Sequence, residues 1–242
     1  MRFKNKVAII TGAGSGIGRA TAIKLAREGA KIVVADISET HGESVKEEIL
    51  ALNESAIFVK TDIASESDLH HLVHQSLHFY KRIDVVVNNA AIMTFCPVID
   101  VKLDDWDRVI HTNLRSVFLM TKLTLPHING GAIVNLSSVH AHETTPNNSP
   151  YAASKGGVEA FTRAISLEIK PDKVRVNCVA PGAVNTPMLW NNPNIKSGRE
   201  KIQGRVAEPD EVAAAIVFLA SDEASNIHGT SLIVDGGRLA IL

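Results

Sequence analysis

The chain has 242 residues, 45% hydrophobic and 21% charged, enough to bury a sizeable core in one α/β domain. Its net charge of −1 gives no sign of a nucleic-acid or acidic-membrane partner, either of which would leave a basic patch. No apolar run is long enough to span a bilayer, and Cys96 and Cys178 stand too far apart for a paired-spacing motif, so both are expected as reduced thiols.

Met1 to Lys6 leads straight into a strand without a secretory apolar region, so the cytoplasm is the expected compartment. No low-complexity segment or long linker divides the chain, and a single domain over 1–242 is expected. Lys6 to Thr11 is a continuous apolar, β-branched run, which suits a strand buried on both faces. A helix is predicted from Ile17 to Gly29, a strand from Lys31 to Ala35, a helix from His41 to Leu52 and a strand from Ala56 to Lys60. Glu66 to Phe79 reads as a helix, Asp84 to Asn88 as a strand, Leu103 to His127 as one long helix and Ala132 to Ser137 as a strand. Pro150 to Ile169 is predicted helical, with Ser149 as N-cap and Pro150 in the first turn, where its missing amide hydrogen costs nothing. A strand from Arg175 to Ala180 follows, then a Pro-, Asn- and Gly-rich loop (about 182–205), a helix from Pro209 to Ala220 and a strand from Ser231 to Val234. Strands alternating with helices in this way predict a Rossmann-type doubly wound α/β fold, a seven-stranded parallel sheet covered on both faces.

The first strand ends in Thr11-Gly12-Ala13-Gly14-Ser15-Gly16-Ile17-Gly18. Gly12, Gly16 and Gly18 stand between a strand and a helix, where glycines let backbone amides approach a pyrophosphate at the positive helix end. Asp36 closes the second strand, eighteen residues after Gly18, where an acid accepts the adenosine ribose hydroxyls; capping of the next helix is its other reading. No Lys or Arg lies between Ile32 and Val45, so a 2′-phosphate would find no partner and NAD is expected over NADP. Asp62-Ile63 suits either an adenine contact or capping of the helix near Glu66. His70, His71, His74 and His78 share one helix, but no carboxylate or thiol cluster joins them; a solvated face and no metal are expected.

Tyr151 and Lys155 are four apart on the helix that starts at Pro150, so they share a face, and an ammonium beside a phenol favours phenolate. Asn88-Asn89-Ala90-Ala91, Asn135-Leu136-Ser137-Ser138 and Pro181-Gly182 each close a strand, the edge where open α/β sheets bind ligands. Over residues 5–238 the sequence resembles the short-chain dehydrogenase/reductase family, on Thr11 to Gly18, Asn88-Asn89-Ala90, Asn113, Ser138, Tyr151, Lys155, Pro181-Gly182 with Thr186, and Val234-Asp235-Gly236-Gly237.

The resemblance implies reversible hydride transfer between a nicotinamide and a secondary alcohol or carbonyl. It implies Tyr151 as general acid/base with a lowered pKa, Lys155 on the nicotinamide ribose, Ser138 on the substrate oxygen and Asn113 holding a water that links Lys155 to solvent. It further implies cofactor contacts from Ser15, Ile17, Asn89, Ala90, Pro181, Gly182, Val184 and Thr186. Ala91 stands where the family usually has glycine, and His228 where it commonly has threonine; neither departure touches the chemistry. Family members commonly form tetramers through this helix and the preceding long one. A homotetramer is therefore expected, with Leu239 to Leu242 packed at a partner.

Val139 to Ser149 carries polar side chains just after Ser138, which suits a sugar-like small molecule, and the chain loosely resembles the family's aldose dehydrogenases. His140, Thr145 and Trp190 are the candidate substrate contacts. Two other readings are a 3-oxoacyl-carrier-protein reductase, which would normally use NADPH, and a non-catalytic NAD-binding sensor. Asp36 opposes the first and the intact Asn113, Ser138, Tyr151 and Lys155 the second.

Overall fold

The strand Val7–Thr11 (β1) is buried at every position and therefore needs cover on both faces. In the computed structural model, which describes residues 1–199, 201–202 and 204–240, it has that cover. After β1 come Gly16–Arg27 (α1), Lys31–Asp36 (β2), Glu39–Ala51 (α2), Ala56–Lys60 (β3), Glu66–Tyr80 (α3) and Val85–Asn88 (β4). Then follow Leu103–Ile110 (α4), Ser116–Thr124 (α5), Gly131–Leu136 (β5), Ser149–Ser166 (α6) and Val174–Pro181 (β6). Pro187–Trp190 (α7), Pro193–Lys196 (α8), Pro209–Ala220 (α9) and Ser231–Val234 (β7) complete the chain.

The seven strands pair in parallel in the order β3-β2-β1-β4-β5-β6-β7. Strand side chains alternate between the faces. Ala8 and Ile10 join Leu25 of α1, Ile49 of α2 and Ile216 of α9 in one core, whereas Val7 and Ile9 join Leu72 of α3, Met120 of α5 and Ile165 of α6 in the other. The doubly wound α/β sheet read from the sequence is thus the fold observed. The crossover between β1 and β4 at the sheet centre opens a crevice above the strand ends, where the conserved geometry of such sheets places ligands.

Four local features depart from the sequence reading. The long helix is broken by a π-helical turn, His111–Arg115, between α4 and α5. The N-cap of α6 is Asn148, so Ser149 is already helical, and the helix ends at Ser166 with Ile169 packed beyond it in the core. The 182–205 loop holds two short helices, each opened by a side-chain cap and a proline: Thr186 accepts from Leu189 N, and Asn192 accepts from Asn194 N. Thr-Pro and Asn-Pro were the signals for those starts. Glu200 and Gln203 of that loop, and Ile241 and Leu242 of the expected terminal contact, lie outside the described residues.

Buried polar groups tie the elements together. Arg175 on β6 donates to Leu219 O at 2.6 Å and to Ser221 O at 2.8 Å, satisfying carbonyls at the end of α9. His228 accepts from Val176 N through Nδ1 at 3.1 Å and donates from Nε2 to Ser166 O at 2.8 Å, so it fastens β6 to the end of α6. Cys96 and Cys178 carry free thiols, Cys178 buried on β6. No helix among the described residues is long and apolar enough to cross a membrane.

Candidate active site

Glycine is required where the chain turns between β1 and α1. Gly12 and Gly16 have φ of 63° and 52°, the left-handed region. A Cβ on Gly18 would lie 2.1 Å from Gly12 O, so Gly18 lets the loop fold onto the start of α1. Thr11 Oγ1 accepts from Asn89 N at 3.1 Å and Ala90 N at 3.2 Å, while Asn89 Nδ2 donates to Thr11 O at 2.9 Å and Gly12 O at 3.1 Å. These bonds hold the ends of β1 and β4 together. Ser15, the N-cap of α1, makes no side-chain capping bond, which leaves first-turn amides free for an anion beside Gly16 and Ile17.

Asp36 Oδ2 accepts from Gly14 N at 2.8 Å and Oδ1 from Ser38 N at 2.9 Å. It does not cap α2; Ser38 does, accepting from His41 N at 3.3 Å. Nor does Asp62 cap α3, whose cap is Ser65, accepting from Asp68 N at 3.3 Å. Asp36, Asp62 and Ile63 all line the cleft, so the capping alternative falls away for each carboxylate.

Tyr151 and Lys155 lie one turn apart on α6, and both are buried, as is Ser138 after β5. Ser138 lines the same cleft as Tyr151, and its hydroxyl accepts from His140 N at 3.2 Å. Lys155 Nζ donates to Leu136 O at 2.6 Å and sits 5.6 Å from the centre of the Tyr151 ring. Burial pushes Tyr151 up to about 12, against the lowering effect of the nearby Ser138 hydroxyl. Burial likewise pulls Lys155 down to about 8, opposed by Cys178. The expected lowering of Tyr151 by Lys155 and an oxidised nicotinamide is not supplied by the chain's own groups alone, which leave it raised. Burial is the largest cause of the shift at both side chains.

Asn113 occupies the π-turn and is buried, but it does not line the cleft. Its Oδ1 accepts from Ile92 N, its Nδ2 donates to Ile92 O, both at 2.9 Å, and Nδ2 also reaches Ser154 Oγ at 3.1 Å. A side chain so committed has little left for the water expected between Lys155 and solvent.

The cleft has a volume of about 570 Å³, within the range of small-molecule sites. It brings together the glycine loop, Asn89, Ala90, Ser138, Tyr151 and Lys155. Pro181, Gly182, Val184 and Thr186 line it too, Thr186 close enough that a Cβ on Gly16 would touch it at 3.0 Å. Gly18 lies beneath the loop instead.

Of the three candidate substrate contacts, only His140 lines the cleft. Its ring stands edge-on to Tyr151, centroids 5.7 Å apart, and its Nδ1 bonds Thr144 Oγ1 at 2.9 Å. Thr145 instead accepts from Asn148 Nδ2 at 2.7 Å, and Trp190 donates from Nε1 to Asn185 Oδ1 at 2.7 Å, both outside the cleft. The polar residues after Ser138 thus largely satisfy one another: His142 pairs with Glu159 at 3.1 Å. The cleft's other walls are apolar: Met188 and Leu189, which open the loop after β6, and Ile92, Met93 and Ile195, which were missed from the sequence. They come from two separated segments, and no local pattern marks them. On α3 the four histidines are exposed, with His74 and His78 stacked at 6.2 Å. No group of three or more metal-binding side chains is assembled among the described residues.

Comparison with known proteins bears on this geometry. A family model described as enoyl-(acyl carrier protein) reductase matches residues 12–238. Cyclopentanol dehydrogenase of Comamonas sp. (strain NCIMB 9872) is 38% identical, covering 99% of this chain and 99% of its own. The 3-oxoacyl-[acyl-carrier-protein] reductase of Thermotoga maritima is 39% identical over 98% of this chain and 99% of its own. A solved 7α-hydroxysteroid dehydrogenase, complexed with NADH and 7-oxo glycochenodeoxycholic acid, superimposes with a TM-score of 0.91 at 34% identity, covering 98% of this chain and 95% of that one.

Proposed function

From the premise that this chain belongs to the short-chain dehydrogenase/reductase family of oxidoreductases acting on alcohols and carbonyls, we propose that it interconverts an apolar ring alcohol and its ketone with NAD(H). The observation that carries the reading is one cleft lined by Tyr151, Ser138 and Lys155, by apolar walls and by the glycine loop. Two of the relatives described above are named for ring alcohols, cyclopentanol and a hydroxysteroid. A ring suits Ile92, Met93 and Leu189 better than a sugar does, because each sugar hydroxyl would lose its water there without a partner.

The residues fit the nucleotide. Amides at Ser15 to Ile17 would hold the pyrophosphate and Asp36 the adenosine ribose hydroxyls, with Asp62 and Ile63 beside the adenine. Asp36, with no Lys or Arg between Ile32 and Val45, supports NAD over NADP. Asn89, Ala90, Pro181, Gly182, Val184 and Thr186 would wall the nicotinamide end, with Lys155 on its ribose. When bound, the nicotinamide supplies the hydride acceptor or donor.

Everything else falls to the chain. Tyr151 Oη takes the alcohol proton on oxidation and returns it on reduction. Its raised value means that the phenolate needs added positive charge, which Lys155 and an oxidised nicotinamide bring. Ser138 donates to the substrate oxygen as charge develops. Asn113 fixes the Ile92 wall through both of its amide atoms. A homotetramer is proposed through α5 and α6; a Cβ on Gly156 would meet nothing within 4 Å, so that face of α6 is open.

The test is NADH absorbance over cyclopentanol, cyclohexanol, aldoses and a 3-oxoacyl thioester, each with NAD(H) and NADP(H). Ring alcohols with NAD should turn over fastest. Tyr151→Phe should abolish turnover while NAD still binds. Fastest turnover of the thioester, or an active Tyr151→Phe, would overturn the proposal.

A further inference from the structure

The carboxylates that line the cleft among the described residues are Asp36, which ends β2, and Asp62, which follows β3, both at the nucleotide end. The substrate end carries charge of the other sign, from Arg108, Lys201 and Arg238. Arg108 is paired with Asp105 at 2.8 Å. Lys201 and Arg238 have no ion pair or side-chain hydrogen bond with the described residues. Nearby acids are engaged elsewhere. Asp235 accepts from the amides of Gly237 and Leu239, each at 2.8 Å, and Glu211 pairs with Arg205 at 2.8 Å.

Arg238 has a second feature, and among the described residues no other cationic side chain shares it. Its Nε is shut off from water and has no hydrogen-bond partner. A shielded donor without an acceptor is costly, and few are left in folded proteins without cause. The nucleotide phosphates do not supply that cause. Arg238 follows β7, four strands along the sheet from β1, roughly 19 Å at ordinary strand spacing. Its neighbour is Gly204, after β6 in the chain.

We propose that Lys201 and Arg238 form a carboxylate-binding subsite, so that the ring substrate carries an anionic group on the side away from its reacting carbon. The planar guanidinium fork matches a carboxylate, and Lys201 adds a mobile point charge at the rim. The subsite rests on the ring-alcohol reading above and narrows it to hydroxy- or oxo-cycloalkane carboxylates.

Binding and turnover test it separately. By isothermal titration, cyclohexanecarboxylate should bind about tenfold or more tightly than cyclohexanecarboxamide, the range a charge-assisted hydrogen bond gives. Arg238→Gln and Lys201→Gln should each shrink that ratio, Arg238→Lys should keep part of it, and Arg205→Gln, outside the cleft, should leave it alone. Raising the salt should also shrink it. In NAD-linked oxidation, 4-hydroxycyclohexanecarboxylate should exceed its carboxamide in kcat/KM by a similar ratio. Equal binding of acid and amide, or a ratio untouched by both glutamine variants, overturns the subsite. An intact binding ratio with no oxidation of any ring alcohol leaves the subsite standing and overturns the reaction instead.

Discussion

Asn113 grips Ile92 by both of its backbone groups, accepting from its N–H and donating to its carbonyl at 2.9 Å each. A third bond, to Ser154 Oγ at 3.1 Å, reaches α6 one residue before Lys155. One buried amide thus joins the π-turn, the cleft wall after β4 and the helix that carries Tyr151.

Asn113→Leu removes all three bonds and leaves buried partners unpaired. The expected loss of stability is roughly 2–4 kcal/mol, given about 1–3 kcal/mol for each orphaned buried group. With Ile92 and Met93 released, kcat/KM should fall by about a hundredfold, the scale of a misplacement near 1 Å. Urea unfolding and steady-state kinetics measure the two effects. A variant as stable as the parent would show that Asn113 does not hold the wall.

Much of this site was legible because its parts are contiguous. The glycine loop, Asn89 and Ala90, Ser138, and Tyr151 with Lys155 are short patterns, and strand–helix alternation alone put them at one sheet edge. What escaped depends on distant segments. A π-turn uses the same residue types as the α-helix around it, so Leu103 to His127 read as continuous. The apolar wall joins Ile92 and Met93 to Leu189 and Ile195, which no local periodicity connects. The sign of the Tyr151 shift is set by burial, and burial comes from every element packed on α6.

Lys155 sets a pH dependence of stability. Its folded value, about 8, lies below the unfolded value of about 10.4, so above pH 8 the unfolded chain binds more protons. Burial of Lys155 therefore weakens the fold at and below pH 8, and stability recovers as pH rises from 8 to about 10.4, by ~3 kcal/mol at most. Cys178 and Tyr151, each pushed up to about 12, act in the opposite sense from the pH at which they ionise in the unfolded chain. The difference between wild type and Lys155→Met isolates the lysine. Urea unfolding at pH 7.5 and 9.5, without nucleotide, should show wild type gaining on the variant. A constant difference would contradict the buried, lowered lysine.

Asp36 and Ile37 should govern nucleotide choice. The Asp36 carboxylate is oriented by the amides of Gly14 and Ser38, and the Ile37 side chain is 64% exposed beside it. In wild type, kcat/KM with NAD should exceed that with NADP by more than about tenfold, since a phosphate there meets a fixed carboxylate. Asp36→Ser with Ile37→Arg replaces repulsion by an Arg–phosphate contact and should lower that ratio by about a hundredfold or more. A ratio that does not move would place nucleotide selection elsewhere in the cleft.

Phe118 tests the proposed assembly. On α5 it is 44% exposed, and its ring stands edge-on to Phe161 of α6 with centroids 6.2 Å apart. An aromatic left half in water beside the open face at Gly156 suits a contact with another copy of the chain. Sedimentation velocity should show a species of four times the 26.0 kDa chain mass. Phe118→Asp would place a charge in the apolar contact and should yield smaller species, and Ala153→Glu, exposed on the same helix as Gly156, should do likewise. Circular dichroism would show whether each variant remains folded. Tetramers that persist in both folded variants would move the assembly surface away from α5 and α6, and a monomeric wild type would remove the tetramer altogether.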